Sequence, residues 1–169
     1  MSEYPVLPGA EAWSAEGGPT GALVLHGVTG CPHSMRGVAE ALAGAGFTVE
    51  LPRLPGHGTS IDDMLTTSWA DWSAHVEATY QDLASRCEKV VVTGLSMGGT
   101  LTLWLAARHP EIVGIAPING AAEAMPEMAE LIGGMIEAGE TTMPGVGGDI
   151  AKEGVEELAY DLVPVSYTH

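Results

Sequence analysis

Basic residues are scarce in this chain of 169 residues, where six Lys and Arg stand against 22 Asp and Glu for a formal charge of −16 at pH 7. Nucleic-acid binding rests on basic patches that displace counterions from phosphates, so this balance excludes a nucleic-acid partner. It argues equally against anionic membrane surfaces. The simplest reading of such charge is a solvated acidic surface. Cysteine is scarce too: Cys31 and Cys87 are too few for a disulfide framework and too far apart for a metal-binding pair. They read as free thiols of a cytoplasmic protein. There is no run of about 18 apolar residues that would span a membrane. The start, Met1-Ser2-Glu3-Tyr4-Pro5, lacks the basic and apolar stretches of a signal peptide. No histidine pair has the spacing of a zinc site, so neither metal nor cofactor is expected.

What is present suits one domain with an apolar core. Residues 11–16 predict a short edge strand, and Ala22-Leu23-Val24-Leu25 a buried parallel strand. A helix is expected from Ser34 to Ala43, ending at Gly44 and Gly46. Phe47 to Leu51 reads as the next strand and Arg53 to Gly58 as a Pro/Gly loop. Ser68-Trp69-Ala70-Asp71 has the form of a capping box. The apolar face behind it runs Trp69, Trp72, Val76, Tyr80, Leu83 and Cys87, which makes the tryptophans core anchors. Ile112 to Ile118 is one more strand. Strands alternating with helices predict an α/β fold with a mostly parallel sheet and helices on both faces.

The alternation stops near residue 120. Ala121 to Ala138 is helix-like, Gly139 to Gly148 is a loop, and Ile150 to Tyr160 is a shorter helix, with no further strand-like run. Residues 1–120 are therefore read as a core and 121–169 as a helical, cap-like segment. Met125, Met128, Leu131, Ile132, Met135 and Ile136 form an apolar stripe at helical spacing. Two roles fit it equally. Met125 and Met128 line an adaptable acyl pocket, or the stripe packs the segment onto the core.

Gly94-Leu95-Ser96-Met97-Gly98 carries the chemistry. It follows the apolar run Val90-Val91-Val92-Thr93 and opens the helix-like run from Gly99 to His109. Strand, Gly-x-Ser-x-Gly, helix is the setting of a nucleophile elbow, in which a tight turn lifts a serine above the sheet edge. Gly94 and Gly98 are then needed for close backbone approach, and Ser96 is the candidate nucleophile. A flexible Gly-rich loop is the rival reading, and the strand and helix on either side argue against it.

Four motifs stand in order: Leu25-His26-Gly27-Val28-Thr29-Gly30, Leu54-Pro55-Gly56-His57-Gly58, Trp69-Ala70-Asp71-Trp72 and Gly94-Leu95-Ser96-Met97-Gly98-Gly99. With them the sequence resembles the α/β-hydrolase fold, and within it the bacterial carboxylesterase and monoacylglycerol lipase branch with a small helical cap. The resemblance implies that Val28 and Met97 supply the two oxyanion-hole N–H groups. It gives His26 and His57 loop-holding roles. The implied activity is serine carboxylesterase hydrolysis of uncharged short to medium acyl esters, monoacylglycerols included. The implied partner is a small-molecule ester.

In that family an acid and a histidine follow on later strands. Neither strand is evident here: His169 is the only histidine beyond His109, and Asp149 and Asp161 fall in the cap-like segment. The chain resembles the first two thirds of an esterase, with the carboxyl-terminal strands missing and the triad acid and base outside it. Little or no turnover is then expected of the chain alone. The Ile112–Ile118 strand is expected to be an open sheet edge, with a partner chain, a domain swap or a lost carboxyl-terminal piece as the ways to cover it. Two rival functions stay open: a non-catalytic hydrolase remnant that binds a ligand or a partner chain, and a thioesterase or perhydrolase on the same fold.

Overall fold

In a parallel sheet both faces are covered, so alternate residues of each strand enter two separate cores. The computed structural model, which describes residues 4–123, 126–140, 142–144 and 162–164, has this arrangement. Trp13–Ala15 (β1) leads to Thr20–Leu25 (β2) and, through a 3-10 turn at Pro32–Met35, to helix Arg36–Gly44 (α1). Thr48–Leu51 (β3), Ile61–Met64 (α2) and the long helix Trp69–Arg86 (α3) follow. Then come Lys89–Leu95 (β4), Met97–Arg108 (α4) and Gly114–Ile118 (β5). The strand order is β1-β3-β2-β4-β5, with β1 antiparallel to β3 and the remaining pairs parallel.

The two faces of β2 show the division of labour. Ala22 and Val24 pack with Met35 and Ala39 beside α1, together with Val49 and Leu51. Leu23 and Leu25 face the other way, into Trp72, Val76, Tyr80 and Leu83 of α3 and Leu101 and Leu105 of α4. Each such side chain contributes roughly 1.5–3 kcal/mol of apolar burial before entropy is counted. The start of α3 is held as its capping box predicts: the Ser68 N–H donates to the Asp71 carboxylate at 2.9 Å and the Ser68 hydroxyl at 2.7 Å. At its far end Arg86 pairs with Asp82, Glu16 and Glu50, tying α3 to the chain around β1 and to β3.

Several boundaries differ from the sequence reading. The helix expected at Ser34 begins at Arg36, because Pro32 opens a 3-10 turn first. β5 begins at Gly114 rather than Ile112, whose N–H is drawn into a turn by the His109 carbonyl at 3.1 Å. Beyond residue 120 the helix Pro126–Glu137 (α5) starts at its proline, as a residue without an N–H prefers. Strands Thr142–Pro144 (β6) and Leu162–Pro164 (β7) form an antiparallel pair where no strand was expected. Three-residue strands that each end in proline are too short to show an alternating pattern. The shorter helix expected at Ile150 to Tyr160 lies outside the described residues.

Candidate active site

β4 delivers its last residue, Leu95, to the carboxyl edge of the sheet, and Ser96 follows at φ 53° and ψ −117° as the N-cap of α4. The turn is tight enough that a side chain at Gly94 would collide with the Gly98 carbonyl oxygen, and a Cβ at Gly98 would lie 2.5 Å from that of Leu25. The Ser96 N–H donates to the Ile118 carbonyl at 2.8 Å, and its carbonyl accepts from Thr100 at 3.0 Å. Backbone bonds thus hold the serine between β4 and β5, with its side chain partly exposed. Among the described residues nothing hydrogen-bonds to its Oγ.

The loop after β2 lies against this turn. A Cβ on Gly27 would sit 3.3 Å from Ser96 Cβ and 3.9 Å from its Oγ. Val28 and Thr29 make a turn there, with Thr29 at φ 61°. Thr29, Ser96 and Asn119 (φ 51°) are the non-glycine residues with positive φ among those described. They follow the carboxyl ends of β2, β4 and β5 in turn, so this strain collects at one edge. Open α/β sheets bind ligands at that edge, and strain of this kind gathers at functional sites.

Residues 23–133 match the family model described as the alpha/beta hydrolase fold. The chain belongs to the α/β-hydrolase family. It is 53% identical, over 98% of its length, to a thermostable monoacylglycerol lipase of Bacillus sp. (strain H-257), and spans 66% of that relative. A solved structure from work on the metagenome-derived lipolytic enzymes LipS and LipT superposes with a TM-score of 0.88 at 46% identity, covering 97% of this chain and 67% of the other. The monoacylglycerol lipase of Paleococcus ferrophilus shares the fold at a TM-score of 0.63 and 18% identity, over 94% of this chain and 67% of that one.

Two buried histidines brace the α/β-hydrolase loops. His26 donates from Nδ1 to the Gly27 carbonyl at 2.9 Å and accepts the Leu54 N–H at Nε2, at 3.1 Å. Those bonds need the neutral ring, and burial together with the neighbouring His57 brings its pKa down to about 3. His57 lies 5.0 Å from His26 between ring centroids and donates to the Pro55 carbonyl at 2.9 Å. Burial lowers its pKa to about 4, and its Nε2 is enclosed without a partner among the described residues. Trp72 donates to the same Pro55 carbonyl at 3.0 Å, so α3 anchors the loop that His57 shapes. Both histidines are occupied with backbone. His109 caps the opposite end of α4, about 18 Å from Ser96 along a helix of this length.

The structure brings Gly27, Val28, Gly94, Ser96, Met97 and Gly98 to one edge. The expected pocket residues Met125 and Met128 fall where the structure describes no side chains. Met125 lies outside the described residues, and Met128 is described only as part of the α5 backbone. Ile132 is buried, whereas Leu131 is 56% exposed and Ile136 39%, so these described members of the stripe do not form one packed face. A shallow cleft of about 530 Å³ on α5 is lined by Glu130, Leu131, Gly134, Met135, Ala138 and Glu140, and no residue of the Ser96 edge lines it. Thr29, Thr100 and Asn119 at this edge escaped the sequence reading. Only the Asn119-Gly120 dipeptide, a common turn signal, pointed there. Among the described residues no helix is long and apolar enough to cross a membrane, and no three His, Cys, Asp or Glu residues gather to hold a metal ion.

Proposed function

We propose that this chain carries the nucleophile and oxyanion hole of a serine carboxylic ester hydrolase acting on uncharged short to medium acyl esters, with monoacylglycerols as the leading class. Ser96 Oγ attacks the ester carbonyl, and the tetrahedral oxyanion accepts from the Val28 and Met97 N–H groups. Met97 opens α4, where the N–H groups have no partner within the helix and the dipole favours negative charge. Collapse expels the alcohol and leaves an acyl-Ser96, which water hydrolyses. Residues 121–169 serve as a cap over the acyl chain. The many carboxylates disfavour anionic acyl groups. The base that takes the Ser96 proton, and the acid that orients it, come from outside the described residues.

The observation that carries this reading is the strained Ser96 at φ 53° on the strand-to-helix turn, with Gly27 packed against it. The lipase identity of the Bacillus relative supports the ester class. The test is the initial rate of p-nitrophenyl butyrate hydrolysis by the chain beside its Ser96→Ala variant. A Ser96-dependent rate is expected when the base is supplied. In the chain alone, equal rates near background mean an elbow without its base; equal rates with imidazole added as an external base would favour a second reading, a hydrolase-fold chain that binds a ligand or partner without turnover. The Ser96 Oγ, to which no described residue hydrogen-bonds, and the exposed β5 edge point that way.

A further inference from the structure

Where the chain leaves β5 it passes directly over the first turn of α4. Asn119 at φ 51° swings the backbone away from the sheet. Gly120 then meets α4 so closely that a Cβ there would lie 2.6 Å from the Gly99 carbonyl carbon and 2.8 Å from the Thr100 nitrogen. One residue on, a side chain takes over the contact. The Ala121 N–H donates to Thr100 Oγ1 at 3.1 Å, and the same hydroxyl donates to the Ala121 carbonyl at 3.2 Å. Thr100 thereby offers one backbone residue both a donor and an acceptor, as a neighbouring strand would. Three residues before Ala121, the Ile118 carbonyl takes the Ser96 N–H at 2.8 Å. Residues 118–121 are therefore clasped at both ends to the turn that holds Ser96, and α5 begins only five residues later, at Pro126.

From this clasp we infer that Thr100 is a positioning residue: its hydroxyl sets the direction in which residues 121–123 leave the nucleophile turn, and so how they lie beside an acyl chain held at Ser96. The inference rests on the esterase reading of the same edge. It concerns a residue that touches neither the reacting ester nor the oxyanion donors. Both bonds are exposed to solvent, so each holds geometry rather than bulk stability. A methyl in place of the hydroxyl, in Thr100→Val, keeps the shape and removes the donor and the acceptor together.

The experiment compares Thr100→Val and Thr100→Ser with the unaltered chain, reading amide hydrogen exchange at Ala121 by NMR and kcat and KM on p-nitrophenyl acetate and octanoate. Loss of a solvent-exposed hydrogen bond corresponds to about a fivefold change. Ala121 exchange is expected to quicken by at least about fivefold in Thr100→Val and to stay near the original in Thr100→Ser. KM for the octanoate ester is expected to rise about fivefold in Thr100→Val, with kcat and the acetate parameters within about twofold, and to be restored in Thr100→Ser. If Thr100→Val fails to fold, Thr100→Ala is read in its place. Unchanged exchange, or equal behaviour of the Ser and Val variants, overturns the inference. Absence of Ser96-dependent turnover in the unaltered chain is what a missing base predicts, and the exchange measurement then decides the role of Thr100 by itself.

Discussion

Thr29 is a β-branched residue at φ 61°, a conformation in which its side chain crowds its own backbone. Thr29→Gly removes that crowding while loosening the unfolded chain, and the two effects oppose each other. A net gain of about 0.5–1 kcal/mol is expected, seen as a higher urea midpoint at unchanged m-value. The same variant should lower Ser96-dependent ester hydrolysis, because the turn that carries the Val28 N–H is then less rigid. Single residues were unequally legible in the sequence. Ser96 could be read because a flanking Gly-x-Ser-x-Gly pattern is the steric condition for its backbone angles, and the collisions at Gly94 and Gly98 are that condition in three dimensions. Thr29, Thr100 and Asn119 could not. The bonds of Thr100 are made to Ala121, 21 residues on, which no local pattern announces.

Elements were legible where local chemistry and burial agree. α3 has its capping box, its apolar face and its buried Trp72, and the sequence displays all three. Ser68→Ala removes the cap hydroxyl and is expected to cost about 1 kcal/mol, a fall of about 2–4 °C in Tm by calorimetry. The β6–β7 pair was not legible, since its strands are specified by each other rather than by their own sequences. β5 was legible both as a strand and as an edge. Ile115 is 43% exposed and Ile118 42%, and Pro117 lies between them, a residue that sheets tolerate at their margins. An exposed apolar strand promotes association, so Ile115→Lys should reduce the concentration-dependent light scattering of the chain. Its unfolding free energy should stay within about 0.5 kcal/mol of the original.

At the level of the whole molecule, the histidines titrate in opposing senses. His26 and His57 are neutral in the fold, with pKa values brought down by burial to about 3 and about 4 from 6.5. Below pH 6.5 the unfolded chain therefore binds more protons, and the stability these rings confer is full above that value and lost as pH falls toward 4 and 3. His109 runs the other way. Desolvation opposes its charging, but the carboxylates of Glu77, 2.8 Å from Nε2, and Glu111, 3.1 Å from Nδ1, raise its pKa. Its contribution is full below pH 6.5 and fades as pH rises through the folded value. Urea unfolding across pH is expected to show a maximum near neutrality, and His109→Gln should flatten the alkaline side while leaving the acid side in place. The sheet order has a consequence for the birth of the chain. β2 is the central strand, yet β4, its neighbour on one side, starts some 60 residues after β2 ends. At roughly 5–20 residues per second the ribosome leaves that side of β2 bare for several seconds. Through that interval its wholly apolar run can be accepted on the β3 side alone, so the nascent polypeptide is a natural client for a chaperone before its sheet is complete.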